Sequence, residues 1–239
     1  MDTLALMTGI DIPVPELQLA IHQPTIKEIS MIGETEFFVG AQTLCLNKTL
    51  YIQDETLLSQ TTNFQIFMTM MQNKESIKTK ECVLKVLSLI MPNVKVLFTP
   101  RAVMLNFDEH SVNIDESNFE YLQTILKAIF CLKESGQEAF NPANEEARKI
   151  AEKLMRGRQR VAAQRAKEGG DSIFTQYLSI LTIGLESMGL LDLMNLTMFQ
   201  LYDLVERYML YSNWDLDVRQ RLAGGKPDSE PENWMKPIH

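Results

Sequence analysis

Three histidines, three cysteines and one acid–acid–imidazole run are the residues of this 239-residue chain best suited to chemistry. Asp108-Glu109-His110 sets two carboxylates beside an imidazole, which could tune a general base near neutral pH. The run falls in a predicted turn between strands, where such residues are common without any chemical role. His22, His110 and His239 lie far apart, and none belongs to a His-x-x-x-His or Cys-x-x-Cys arrangement of the kind that builds a metal site. Cys45, Cys82 and Cys131 each stand among apolar neighbours, so the expectation is small buried hydrophobes. Their odd number and wide spacing argue against a disulfide framework and fit a reducing compartment. The sequence has no glycine-rich phosphate loop, dinucleotide fingerprint or Gly-x-Ser-x-Gly elbow; Gly157 and Gly184 stand singly inside predicted helices. No enzyme, cofactor or metal is expected.

Interaction surface is better represented. Between positions 148 and 167 lie Arg148, Lys149, Lys153, Arg156, Arg158, Arg160, Arg165 and Lys167, opposed by Glu152, with a narrow apolar stripe of Ile150, Leu154 and Val161. Such a helix could be a solvated link between two halves or a docking surface for an acidic partner. Nucleic acid is the weakest reading, because the whole chain carries a net charge of -8 and no aromatic residues interleave for base stacking. A second candidate is the Met and aromatic content. Met68, Met70 and Met71 cluster, and Met188, Met194, Met198 and Met209 fall among Tyr177, Phe199, Tyr202, Tyr208, Tyr211 and Trp214. These residues either pack an ordinary core or line a groove for a hydrophobic client, a use that suits flexible thioethers. A third is Trp234 with Ile238, in a terminus that is otherwise polar; they could anchor on the parent molecule or on a neighbour.

The elements that must position these residues are legible from periodicity and punctuation. The prolines at 13 and 15 predict an extended segment, and Leu17, Leu19 and Ile21 alternate as a half-buried strand. Four capping boxes are predicted, beginning at Thr25, Thr62, Ser117 and Thr197, each a hydroxyl followed three residues later by Glu or Gln. Helices are predicted over 25–33, 35–46, from 62, over 75–91, from 117, over 141–168, over 173–188 and from 197 through Met209, with a separate short helix over 215–223. Pro92 stops the helix before it. Between helices, Val94, Val96 and Phe98 and then Val103, Leu105 and Phe107 alternate around a turn at 99–101, and Val112 and Ile114 add a third strand. The N-terminal strand is expected to pair with this meander, since a lone hairpin is marginal in water. The fold class is therefore α+β and mostly helical, with a small antiparallel sheet in the N-terminal half and a helical C-terminal half. Its organisation reads as an α+β domain over 1–135, a basic helix or connector over 136–171, a helical region over 172–224 and a tail over 225–239. The two main parts could share one core.

Apolar residues make up 45% of the chain, enough for a sizeable core. The N-terminus carries no positive region before an apolar stretch, so no secretory signal is expected. No run approaches the roughly 18 apolar residues of a membrane span. The most apolar stretch, 177–193, is interrupted by polar residues and is expected to be a packed helix.

Two stretches carry a resemblance. One is Ile21-His22-Gln23-Pro24-Thr25-Ile26-Lys27-Glu28-Ile29 with Ile32-Gly33-Glu34 and Phe37-Phe38; the other runs from Leu196-Thr197 through Gln200-Leu201-Tyr202-Asp203-Leu204 and Glu206-Arg207-Tyr208 to Asn233-Trp234-Met235-Lys236-Pro237-Ile238-His239. Together they resemble tail assembly chaperones from the structural modules of tailed bacteriophages. The resemblance implies a non-enzymatic protein of the host cytoplasm. It would keep the tape measure protein soluble until tail tube subunits polymerise around it. It offers no catalytic, cofactor or metal residues. The partner surface would include Phe199, Tyr202, Tyr208, Met209 and Trp214, with Arg156, Arg158 and Arg160 facing acidic stretches of the client or of another copy, and Trp234 as an anchor. Self-association stays open. The alternative is a structural virion subunit of the neck, tail or baseplate.

Overall fold

The computed structural model describes residues 2–52, 54–108, 110–132, 172–225, 233–236 and 238. The fold is α+β and mostly helical, with two small antiparallel sheets in the N-terminal half and helices in the C-terminal half. The predicted helix over 141–168 lies outside the described residues.

A short helix α1 (Thr3–Thr8) leads into β1 (Ile12–Val14). The next strand does not join the meander. Pro15–Leu17 forms a 3-10 turn and Gln18 takes a left-handed backbone with φ 52°, so the chain doubles back and β2 (Leu19–Ile21) pairs antiparallel with β1. Of the residues predicted to alternate, Leu19 and Ile21 lie in the strand and Leu17 in the turn before it; all three are buried, and Ile12 and Val14 of β1 face the core beside them. The second sheet runs β3 (Lys95–Phe98), β4 (Val103–Asn106), β5 (Ser111–Ile114). Its register pairs Phe98 with Val103 and Val103 with Ile114. Val103, Leu105, Val112 and Ile114 are buried on the inner face. A bond between His110 Nε2 and the Gln18 carbonyl, 3.0 Å, ties this sheet to the N-terminal hairpin.

Five helices follow the first hairpin or close the second sheet: α2 (Ile26–Ile32), α3 (Glu34–Leu44), α5 (Asn63–Gln72), α6 (Ile77–Ile90) and α7 (Phe119–Ile129), with a small α4 (Glu55–Gln60) between α3 and α5. The boxes at Thr25 and Thr62 form reciprocally, as expected. The box at Ser117 does not. The Ser117 amide and hydroxyl both donate to Asp115, at 2.9 and 2.6 Å, and Asn118 turns its side chain back onto the Asp115 amide and the Asn113 carbonyl. Asn118 is the N-cap residue, and with its side chain turned upstream α7 starts without a side-chain cap.

Helices α3 and α6 cross closely because of Gly40. A Cβ there would lie 2.5 Å from the Cys82 carbonyl oxygen and 2.7 Å from a Val86 methyl. Around this crossing the aromatic rings interlock: Phe37 meets Phe130 edge-on at 5.3 Å, and Phe67 stacks on Phe119 at 5.0 Å. One buried side chain stitches the polar ends. Gln123 of α7 donates to the Leu44 and Leu46 carbonyls at the end of α3 and accepts from Asn63 at the start of α5. Buried amides of this kind are tolerated because their bonds are made.

The C-terminal helices are α8 (Ile173–Gly184), α9 (Leu190–Met194) and α10 (Met198–Leu222); α8 packs on α3, α9 on α2, and α10 on α1, α7 and α8. Two expectations change here. The helix predicted over 173–188 ends at Gly184, and Gly189 opens α9 rather than closing α8. The two helices predicted after 197 are one helix of 25 residues, because no breaker lies between Met209 and Asp215. Phe38 stacks on Phe174 at 5.5 Å, the Ile26 amide donates to the Leu196 carbonyl, and Thr25 and Thr197 form an antiparallel bridge. Residues from both halves belong to a single buried cluster.

Substituting Gly40→Ala should overpack the α3–α6 crossing against backbone, which has little room to give. A loss of about 1–3 kcal/mol is expected, read as a lower urea midpoint with an unchanged slope.

Candidate partner-binding face

The residues raised above for chemistry are used structurally. His22 sits between two carboxylates, with Nδ1 2.9 Å from Asp11 and Nε2 3.2 Å from Glu28. Burial alone would lower its pKa. The hydrogen bonds to Asp11 and Glu28, and their charges, outweigh that and hold the imidazole above its ordinary value. The same Glu28 oxygen accepts from the Thr25 amide and hydroxyl, both at 2.8 Å. Both imidazole nitrogens and that carboxylate oxygen are therefore occupied, and the trio acts as a strut between the N-terminal hairpin and the α2 cap. His110 stacks on Phe107 at 4.8 Å. Glu109 and His239 lie outside the described residues. Cys45 is buried and desolvation pushes its thiol up to about 12, while Cys82 and Cys131 are only half-buried. Among the described residues no group of three His, Cys, Asp or Glu could hold a metal ion.

The C-terminal helices present a different kind of surface. In α8, Phe174, Leu178 and Leu181 point inward at helical spacing, and Ile173, Ile180 and Ile183 lie on the outer side. Ile183 is 87% exposed. In α9 only Leu193 is buried; Leu191 is 77% exposed. In α10, Met198, Phe199, Leu201 and Val205 face the core within the first turns, and nothing after Val205 is fully buried. Leu216 and Leu222 are 65% and 82% exposed. Helices α8 and α10 meet at Gly184, where a Cβ would collide with the Tyr208 ring. Tyr177 and Tyr202 pack edge-on at 5.6 Å, and burial, then Tyr177, push the Tyr202 hydroxyl up to about 12.

Each residue predicted for this face can now be placed. Phe199 belongs to the core and is withdrawn from the surface. Tyr202, Tyr208 and Trp214 are half-buried and Met209 is exposed. Trp234 returns to the parent molecule. Arg207 donates to the Trp234 and Lys236 carbonyls at 2.7 and 2.9 Å, and the Trp234 ring meets Tyr211 at 5.4 Å and Trp214 at 6.4 Å. Arg156, Arg158 and Arg160 lie outside the described residues. The packed helix expected from the apolar stretch 177–193 is corrected: its outer side is bare. Sequence reasoning missed Ile180, Ile183, Leu191, Leu216 and Leu222. The signal was present in α8, which has two apolar stripes on opposite sides where a packed surface helix needs one. No described helix is long and apolar enough to cross a membrane. The chain matches no protein-family model, no curated protein and no solved structure.

Two measurements follow from this geometry. His22 binds its proton more tightly when folded, so its strut contributes fully below its ordinary value near 6.5 and is lost as pH rises through the folded value. His22→Gln should therefore cost more stability near pH ~6 than near pH ~9, measured by urea titration at both. Arg207→Ala should free Trp234 from Tyr211. In a Trp214→Phe background the emission should shift to the red and acrylamide quenching should rise, with the melting temperature little changed because the contact is peripheral.

Proposed function

We propose that this chain is a non-enzymatic tail assembly chaperone of a tailed bacteriophage, which binds the tape measure protein in the host cytoplasm and keeps it soluble until tail tube subunits assemble around it. The observation that carries this reading is the exposed apolar residues of α8, α9 and α10: Ile180, Ile183, Leu191, Met209, Leu216 and Leu222, on three neighbouring helices that are packed on the core through Leu178, Leu181, Leu193, Phe199 and Val205. Folded proteins expose scattered apolar residues as a matter of course, but a concentration on neighbouring helices favours a partner. Helical surfaces rich in leucine, methionine and aromatic rings suit an amphipathic helical client, which buries its own apolar stripe against them. Met209 and Tyr211 supply adaptable and amphipathic contacts at the centre of α10. Arg156, Arg158 and Arg160 would add charge contacts to acidic stretches of the client or of a second copy.

Co-expression with the long helical tail protein tests the reading. The expected result is that the partner becomes soluble and co-purifies with this chain, and that the double variant Ile183→Asp, Leu216→Asp folds normally but recovers at least about tenfold less partner. If the partner stays insoluble and the chain is found in mature particles, it is a structural subunit of the virion instead.

A further inference from the structure

We infer that β3 is a docking edge for an extended acidic segment of another protein, which adds to the sheet as a fourth strand. This surface is separate from the helical face and does not depend on its reading.

The backbone pattern identifies the free groups. At the first turn the Thr99 amide donates to the Ala102 carbonyl, and at the second the Phe107 amide donates to the His110 carbonyl. Both are hydrogen-bonded pairs, and such pairs alternate along an antiparallel ladder. Counting back along the register, Leu97 and Lys95 direct their amides and carbonyls at β4. Val96 and Phe98 direct theirs away from it, towards the sheet's edge. Counting along the second register gives Val103 and Leu105 to β5, which agrees with Met104 and Asn106 serving β3. The described residues supply no hydrogen-bond partner for the amides or carbonyls of Val96 and Phe98.

The other edge of the sheet is treated differently. Ser111 and Asn113 of β5 point outward by the same count, but the Asn113 carbonyl accepts from the Asn118 side chain at 2.9 Å. That bond blocks the row on which a further strand would register. Among the described residues nothing comparable covers β3. Its inward side chains are also incomplete. Val96 and Phe98 are half-buried where their partners Leu105 and Val103 are fully buried, and Leu97 is 53% exposed on the outer face. An added strand would extend the inner apolar row and cover the flank of Val96 and Phe98.

Charge selects the kind of strand. Lys95 opens β3, Arg101 sits in the turn that closes it, and the Lys80 ammonium lies 4.9 Å from the centre of the Phe98 ring. None of the three has an ion-pair partner among the described residues. Arg101 shares a cleft with Asp115 and Glu116, so Lys95 and Lys80 are the cations that flank β3 itself, on a chain of net charge -8. An incoming segment that alternates apolar and acidic residues would set its apolar side chains beside Val96 and Phe98 and its carboxylates on the outer face with Lys95. A basic segment would meet like charge and a flat neutral one would gain only the main-chain bonds.

The test uses the full chain, labelled with 15N, and a capped heptapeptide in which valine alternates with glutamate. The expected result is that the amide signals of Val96 and Phe98 shift on titration and that binding weakens with added salt. Val96→Pro removes one outward donor at an edge, where proline is tolerated, and should weaken binding at least about tenfold with unchanged circular dichroism. Lys95→Glu changes only an exposed side chain. It should reverse the preference towards a peptide carrying lysine in place of glutamate. The inference is overturned if the shifts miss β3, if Val96→Pro binds the peptide as well as the parent chain, or if the lysine peptide binds the parent equally well. It is also overturned if the chain already occupies β3 with its own copy, seen as a concentration-dependent dimer that Val96→Pro abolishes.

Discussion

At the bridge between Thr25 and Thr197 two helix N-termini are capped side by side, and the placement of the C-terminal helices follows from that junction. Each threonine satisfies the amide three residues on, and the residue at that position, Glu28 or Gln200, returns a bond to the threonine's own amide. The Ile26 amide takes the Leu196 carbonyl across the gap at 2.9 Å. Neighbouring side chains then reach outward from the same junction. Glu28 also holds His22, and Gln200 also holds the Met7 carbonyl at 2.7 Å. One cap is worth about 0.5–2 kcal/mol by itself. Here the same atoms also fix the N-terminal hairpin, α1, α2 and α10 to one another, so loss of either box would loosen several elements at once. Gln23 reinforces the arrangement from the buried side by donating to the Ala5 and Ile10 carbonyls.

Much of this was legible in the sequence, and the failures have identifiable causes. Three of the four capping boxes form because the threonine stands at the N-cap itself. Ser117 fails because the helix begins one residue later, with Asn118 at the N-cap, while the Ser117 hydroxyl donates to Asp115. Phe64, Phe67, Met68 and Met71 are all buried, as their spacing required. The hairpin of β1 and β2 was invisible because it turns on Gln18, a residue type that announces no left-handed conformation. The boundary of α8 was missed because Leu185 leaves the helix without any breaker, and the reason lies in tertiary packing against Tyr208 at Gly184. The candidate face was half legible. Tyr202, Tyr208, Met209 and Trp214 were named from composition, but composition could not separate Phe199, which packs inward, from Leu216 and Leu222, which do not.

The two surfaces differ in the physics they offer a partner. The helical face offers side-chain area with few fixed donors or acceptors, and such recognition tolerates variation in the client. The β3 edge offers outward main-chain groups on Val96 and Phe98 and a few cations, and such recognition fixes strand direction and register. On the reading proposed above, holding a long helical client and contacting a second partner in a defined orientation would fall to separate elements.

The state of α10 links fold to function. Helices draw most of their stability from packing an apolar face, not from propensity. Up to Val205 this helix has such a face; beyond it the residues are half-buried or exposed. Contacts that support the second half include Tyr208 against Gly184, the Trp234 clamp through Arg207, the Tyr211–Trp214 ring contact, and a surface ion pair between Asp215 and Arg219 at 2.7 Å. An exposed pair of that kind contributes at most about 1 kcal/mol. The C-terminal half of α10 is thus the part of the helical face whose order depends least on the core and would gain most from a partner. Binding an apolar client there would bury Met209, Leu216 and Leu222 and stiffen the helix in the same step, so affinity and helix order are coupled.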